Sequence, residues 1–230
     1  MKLNKYYLYL IFPVIFLVFL FISKININTN KSTSNNQLRD PNKTYEVITL
    51  AGGCFWCTEA YFQEEPGVID SVSGYAGGSE EDASYLKVST GETAHREAVE
   101  VTYDPSIIST EKILDVYWSH IDPTNAKGQF ADTGAQYTTA IFYHTEEQKE
   151  IALDSKKRLE ESGLFDKPIA TPIIAFTNFF KAEEYHQDYY KKSSLHYELY
   201  KKASGRKGFV EETWGRDAAI KFLQDQETSI

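Results

Sequence analysis

Ala51-Gly-Gly-Cys54-Phe55-Trp56-Cys57-Thr-Glu59 holds both cysteines of the 230-residue chain. Before it, Tyr45-Glu-Val-Ile-Thr-Leu50 alternates and is rich in β-formers. After it, Thr58-Glu-Ala-Tyr-Phe-Gln-Glu-Glu65 has the composition of a helix that stops at Pro66-Gly67. The cysteines therefore fall at a strand-to-helix turn, where Gly52 and Gly53 permit a tight bend. At i, i+3, Cys54 and Cys57 share one face of the first helical turn. Free amides and the helix dipole at that end favour a thiolate, the reactive form of cysteine. Two cysteines so placed fit a structural disulfide, half of a metal site, a pair of inert thiols, or redox chemistry. A zinc site takes about four ligands, and the chain has no third cysteine and no histidine within the turn. Inert thiols leave the costly Gly-Gly step without a purpose. Redox or nucleophilic chemistry is the favoured reading.

Moving outward, Val68 to Tyr75 reads as a strand closing on Gly74-Tyr-Ala-Gly-Gly78, with a short helical piece from Ala83 to Thr90. Arg96-Glu-Ala-Val-Glu-Val-Thr-Tyr103 alternates cleanly, so Glu97, Val99, Val101 and Tyr103 share one strand face. Glu97 thus lies on the apolar face, where desolvation disfavours its charged form and makes it a candidate proton donor; a strand-end glutamate that reaches solvent is the plainer alternative. Ser109 caps a helix whose Ile113, Leu114, Tyr117, Trp118 and Ile121 repeat at helical spacing. His120, beside that stripe, is read as structural. Asp122 to Gln136 is a long loop of the kind that carries function. It leads into a strand from Tyr137 to His144, a charged helix from Thr145 to Ser162, a strand from Ala170 to Phe176, and a helical segment from about Ala182 to Lys202.

Composition bounds the rest. With 42% hydrophobic and 14% aromatic residues the chain can bury one substantial core. A net charge of −9 without a basic stripe gives no expectation of nucleic-acid binding. Tyr6 to Ile22 is an uncharged apolar run of 17 residues, preceded by Lys2 and Lys5 and followed by no small-residue cleavage site. Residues 1–25 are read as an uncleaved membrane anchor that leaves the catalytic domain outside the cytoplasm, with secretion the alternative if the segment is removed. Residues 26–42 are a polar tether, 43–215 the folded domain, and 216–230 a polar tail.

Gly53-Cys-Phe-Trp56, Gly74-Tyr-Ala-Gly-Gly78, Ser84-Tyr85, Gly91-Glu-Thr-Ala-His-Arg-Glu-Ala-Val99, Tyr103-Asp-Pro105, Asp132-Thr-Gly-Ala-Gln-Tyr137 and Tyr185-His-Gln187 together resemble the A-type peptide methionine sulfoxide reductases. The likeness spans roughly residues 45 to 200. Elements alternate without the long regularity of a doubly wound sheet, which gives an α+β class. The resemblance implies a two-layer sandwich with a mixed sheet and a ferredoxin-like core, the active cysteine standing at the N-terminus of the first helix.

It also implies a chemistry. A sulfoxide has an electrophilic sulfur and a basic oxygen, so its reduction takes a thiolate and an acid. By resemblance Cys54 is the nucleophile, Glu97 the acid, Tyr85 and Tyr137 hold the oxygen, Asp132 belongs to the same polar network, and Phe55 and Trp56 wall in the substrate methyl. Relatives commonly carry glycine where Cys57 stands and keep resolving cysteines near the C-terminus, of which this chain has none. The implied disulfide is then Cys54–Cys57, reopened by a thioredoxin-like protein. The expected substrate is methionine-S-sulfoxide, free and in oxidised proteins. No cofactor and no metal are called for, and a monomer is expected. Ser193-Ser194 stands where relatives often have Asn-Pro, so the local turn there is open. Two rivals remain: a thioredoxin-type thiol-disulfide oxidoreductase, and a secreted binding module with a stabilising disulfide.

Overall fold

A computed structural model describes residues 40, 42–215, 219, 222 and 223. The anchor read over 1–25 and nearly all of the tether lie outside the described residues. Among the described residues no helix is long and apolar enough to cross a membrane.

The chain opens with β1 (Glu46–Ala51), α1 (Phe55–Gln63) and β2 (Val68–Ala76), then α2 (Tyr85–Val88), β3 (Arg96–Tyr103) and α3 (Thr110–Trp118). A short hairpin of β4 (Gly128–Gln129) and β5 (Asp132–Thr133) follows, then β6 (Ala140–Tyr143) and α4 (Glu146–Glu161). The last elements are β7 (Ile173–Ala175), β8 (Phe179–Lys181), α5 (Tyr189–Lys192), α6 (Ser194–Ala203) and α7 (Arg206–Trp214). Six strands form one sheet in the order β7-β6-β1-β3-β2-β8. The pairs β1/β3, β2/β3, β1/β6 and β2/β8 are antiparallel, and β6/β7 is parallel, so the sheet is mixed. Its inner four strands, with α1 after β1 and α3 after β3, form the split βαβ arrangement of a ferredoxin-like core. This is the α+β class read from the sequence.

Strand alternation explains the layering. Ile48 and Leu50 of β1, Val99, Val101 and Tyr103 of β3, Tyr75 of β2 and Ile141 of β6 join one cluster with Ile113, Leu114, Tyr117 and Trp118 of α3 and Leu159 of α4. The residues between them, Ala51, Ala76, Ala98, Ala140 and Phe142, form a separate cluster on the other face. Two of the large residues of α3 have their polar atoms satisfied: Trp118 Nε1 donates to Ser155 Oγ at 2.8 Å, and the Tyr117 hydroxyl to the Ala51 carbonyl at 2.8 Å. The one methionine of the chain is Met1, so this core is assembled without any.

Several elements differ from their sequence expectation. The first helix starts at Phe55, not Thr58. Tyr137 ends a 3₁₀ turn over Ala135–Tyr137, and the strand begins only at Ala140. The segment from Ala182 stays non-helical until Tyr189, and the helix breaks at Ser193 (φ −131°, ψ 48°), the step where the local turn was open. The short edge strand β8 and the helix α7 carried no sequence signal that we used. Within the expected polar tail, Ala219 and Phe222 are buried, and Phe222 packs on Trp214 with ring centroids 6.0 Å apart.

Candidate active site

The cysteine turn is held from three sides. Gly53 sits at φ +85°, where a Cβ would lie 2.6 Å from Gln129 Cβ. The Tyr117 hydroxyl fixes the end of β1, and Arg206 donates from Nη2 to the Gly52 carbonyl at 3.0 Å and from Nη1 to the His120 carbonyl at 2.6 Å. Cys54 is the N-cap of α1, and its carbonyl accepts from the amides of Cys57 (3.2 Å) and Thr58 (3.4 Å). Its side chain makes no cap hydrogen bond. The amide of Phe55 donates instead to Glu97 Oε2 at 3.0 Å.

Both thiols are free and buried. Burial raises the Cys54 thiol well above its usual range, with the Cys57 hydrogen bond and the neighbouring Glu97 adding to it and Tyr200 opposing. Desolvation of this residue, 6% exposed, thus opposes the ionisation that the sequence led us to expect at the helix start. Cys57 goes the other way, lowered to about 7 by its hydrogen bond with Cys54, with burial opposing and the Arg206 charge assisting. The two thiols share a hydrogen bond, so one of the pair ionises early and the other late.

Glu97 lies on the buried face of β3, as its alternation predicts, and is 2% exposed. Burial pushes its carboxyl up to about 8, against the pull of the Phe55 amide, so at neutral pH it holds its proton. Tyr85 and Tyr137, both half-buried, have their phenols raised first by burial and then by the charges of Glu97, Cys54 and Asp132. Both phenols therefore lie within the field of Glu97, Cys54 and Asp132. Asp132 has its carboxyl raised by burial, and the Tyr200 hydroxyl donates to its Oδ2.

The apolar side is built by α1. Phe55 is buried with its ring 5.9 Å from Tyr75 and 5.0 Å from His186. Trp56 stacks on Tyr189 at 3.9 Å and meets Tyr200 edge-on at 5.9 Å, while its Nε1 donates to His186 Nδ1 at 3.0 Å. The residues named from sequence, Cys54, Cys57, Glu97, Tyr85, Tyr137, Asp132, Phe55 and Trp56, thus come from α1, β3, α2, the β4–β5 hairpin and the turn after it. His120 is structural as read, stacked on Tyr61 at 4.2 Å with its Nδ1 2.7 Å from the Val116 carbonyl.

Sequence reasoning missed Tyr200, Glu183 and Arg206 and gave His186 no role. Glu183 accepts from the Tyr85 amide at 2.9 Å and the Tyr75 hydroxyl at 2.7 Å, fixing the start of α2. His186 lies inside the quoted Tyr185-His-Gln187, which was a usable signal. Tyr200, one of 16 tyrosines, and Arg206 carry none. Among the described residues no group of three or more His, Cys, Asp or Glu side chains could hold a metal ion.

A model of the family described as peptide methionine sulfoxide reductase matches residues 46–218. The chain is 51% identical over 171 residues to the peptide methionine sulfoxide reductase MsrA of Bacillus licheniformis, covering 74% of this chain and 94% of that one. It is 50% identical over 176 residues to MsrA 2 of Staphylococcus aureus, covering 76% and 99%. Among solved structures, the reduced form of Mxr1 from Saccharomyces cerevisiae superposes with a TM-score of 0.59 at 34% identity, over 67% of this chain and 88% of that one. Methionine sulfoxide reductase A of Corynebacterium diphtheriae gives 0.58 at 32%, over 66% and 76%. With three quarters of its length matched by the family, and about half the residues of the aligned stretch identical in members that it covers almost completely, the chain belongs to the MsrA branch of the peptide methionine sulfoxide reductases.

Proposed function

We propose that this chain reduces methionine-S-sulfoxide, free and in oxidised proteins, to methionine by thiol chemistry at Cys54. The observation that carries the reading is a carboxyl that keeps its proton near neutrality, Glu97, hydrogen-bonded at 3.0 Å to the first amide of the helix that Cys54 caps. Once it has lost its proton, Cys54 attacks the sulfoxide sulfur while Glu97 gives its own proton to the oxygen, which Tyr85 and Tyr137 hold. The adduct collapses with release of methionine, and the oxygen stays on Cys54 as a sulfenic acid. Cys57 then attacks that sulfur, water leaves, and a Cys54–Cys57 disulfide remains. A thioredoxin-like dithiol protein reopens it. Phe55 and Trp56 receive the methyl group, and Asp132, with Tyr200, orders the polar rim. A thiol-disulfide oxidoreductase would leave Glu97, Tyr85 and Tyr137 without a task.

Incubation with racemic methionine sulfoxide and dithiothreitol, followed by chiral separation, tests the assignment. Only the S epimer at sulfur should disappear, and equal loss of both epimers would sink it. For the resolving step, Cys57→Ser should release about one equivalent of methionine per enzyme and then stall with thioredoxin as reductant. Unimpaired turnover would assign resolution elsewhere.

The reading extends to place and assembly. Tyr6 to Ile22 supports a single-pass anchor with the domain outside the cytoplasm, where it would repair surface or secreted proteins. Protease treatment of intact cells decides it, since a domain degraded only after lysis faces inward. Every group in the scheme comes from one chain, so a monomer suffices, and sedimentation checks that.

A further inference from the structure

Leu86 is 82% exposed and Tyr185 58%, the first directly after Tyr85 at the start of α2 and the second directly before His186. A single exposed apolar side chain is ordinary. This pair differs in what it adjoins. The rings of Tyr85 and Tyr185 lie 4.4 Å and 4.1 Å from that of His186, and Glu183 accepts from the Tyr85 amide at 2.9 Å, so the two segments are held side by side. His186 packs on Phe55 at 5.0 Å, and its Nδ1 accepts from the Trp56 indole at 3.0 Å. An unbroken run of aromatic contact thus leads from the wall read as receiving the substrate methyl, through His186, out to Tyr185 at the surface. Next to it stands an acidic turn. The 3₁₀ turn Glu80–Asp82 is tied to α2 by Lys87, whose Nζ donates to the Glu81 carbonyl at 2.6 Å and to Asp82 Oδ1 at 3.1 Å. That cation is taken by Asp82, and among the described residues the carboxylates of Glu80 and Glu81 form no ion pair.

We propose that Leu86 and Tyr185 form a subsite for the residue next to the methionine sulfoxide in a polypeptide, accepting an apolar side chain, while Glu80 and Glu81 turn acidic neighbours away. This rests on the reading of the chain as a reductase of methionine sulfoxide in proteins. The subsite makes and breaks no bond. Its gain is the apolar area removed from water when a neighbouring side chain covers Leu86 and the Tyr185 ring. Free methionine sulfoxide has no such neighbour and gains nothing. The favoured clients are chains whose sulfoxide lies in an apolar stretch, as a methionine of a packed interior does once oxidation has opened that interior.

Three short capped peptides test this, each with one methionine-S-sulfoxide flanked on both sides by leucine, by serine or by aspartate, with dithiothreitol as reductant. For the wild-type enzyme kcat/KM should be about fivefold higher on the leucine peptide than on the serine peptide, chiefly through KM. The aspartate peptide should fall about threefold below serine at low ionic strength and recover in salt. Leu86→Ser combined with Tyr185→Ser should bring the leucine peptide down to the serine peptide and leave free methionine sulfoxide unchanged, and each single change should give part of that loss. Equal wild-type rates on leucine and serine peptides overturn the proposal, as does a leucine preference that survives the double change. So does a double variant that slows equally on free methionine sulfoxide, because the two side chains would then shape the pocket itself. Glu80→Gln with Glu81→Gln should abolish the aspartate penalty, and a penalty that persists overturns the acidic gate. A wild-type enzyme that reduces no free methionine sulfoxide would overturn the reduction reading itself, on which the subsite stands.

Discussion

Glu97 caps the first amide of α1, and in the proposed mechanism the same carboxyl stores the proton that the reaction spends. Burial holds that proton up to about 8, so activity in the reductive step should fall as pH rises through that value and the group ionises. Glu97→Gln retains shape and a hydrogen-bond donor but cannot transfer a proton. Its single-turnover rate should drop by about 10²- to 10⁴-fold, and the alkaline limb should vanish. A Gln variant with the wild-type rate and the same limb would move the proton source to Tyr85 or Tyr137. Strand alternation put Glu97 on the apolar face, and the family resemblance decided against a glutamate that reaches solvent. Tyr200 and Arg206 could not be found that way, because neither a tyrosine among 16 nor a lone arginine past the last expected helix has a pattern. Their importance comes from contacts across 68 residues to Asp132 and 154 residues to Gly52.

At the scale of elements, α1 shows why the sequence misplaced a boundary. Thr58 is a good N-cap residue and Cys54 is not, so local rules begin the helix late. The true first-turn partner is Glu97, 42 positions downstream, which no local rule sees. The bend before the helix is equally non-local in its demands. Gly53→Ala must accept φ +85°, at about 1–2 kcal/mol, and pushes a methyl within 2.6 Å of Gln129 Cβ. We expect a lower urea midpoint together with slower methionine formation, because the strain falls on the residue before the nucleophile. Elements with strong local signals, β3 and the two helices capped by Ser109 and Thr145, appear close to where they were read. The three-residue edge strands and the broken α5–α6 segment are too short for periodicity to speak.

At the scale of the whole molecule, three buried carboxyls set the pH response. Burial lifts Glu97 to about 8, and Glu59 and Asp115 to about 7 each, from ordinary values of 4.5, 4.5 and 3.8. A raised folded-state pKa gives stability that is fully present below the ordinary value and is lost as pH climbs through the raised one. Asp104, lowered to about 2 by Lys43, acts oppositely and only below its ordinary 3.8. Denaturant midpoints should therefore peak near pH about 4 and decline toward 8, and a flat profile across that interval would contradict these burial effects. The C-terminal end matters as well: Phe222→Ala, which strips a ring from Trp214 and from Arg158, should cost about 3 kcal/mol, read as a lower melting temperature. One property of the core reaches further. A thioether in a packed interior becomes polar and chiral when oxidised, and loosens what surrounds it. This interior holds no thioether, so the enzyme's own packed core offers no copy of the lesion it mends and cannot be loosened by the oxidant whose damage it repairs.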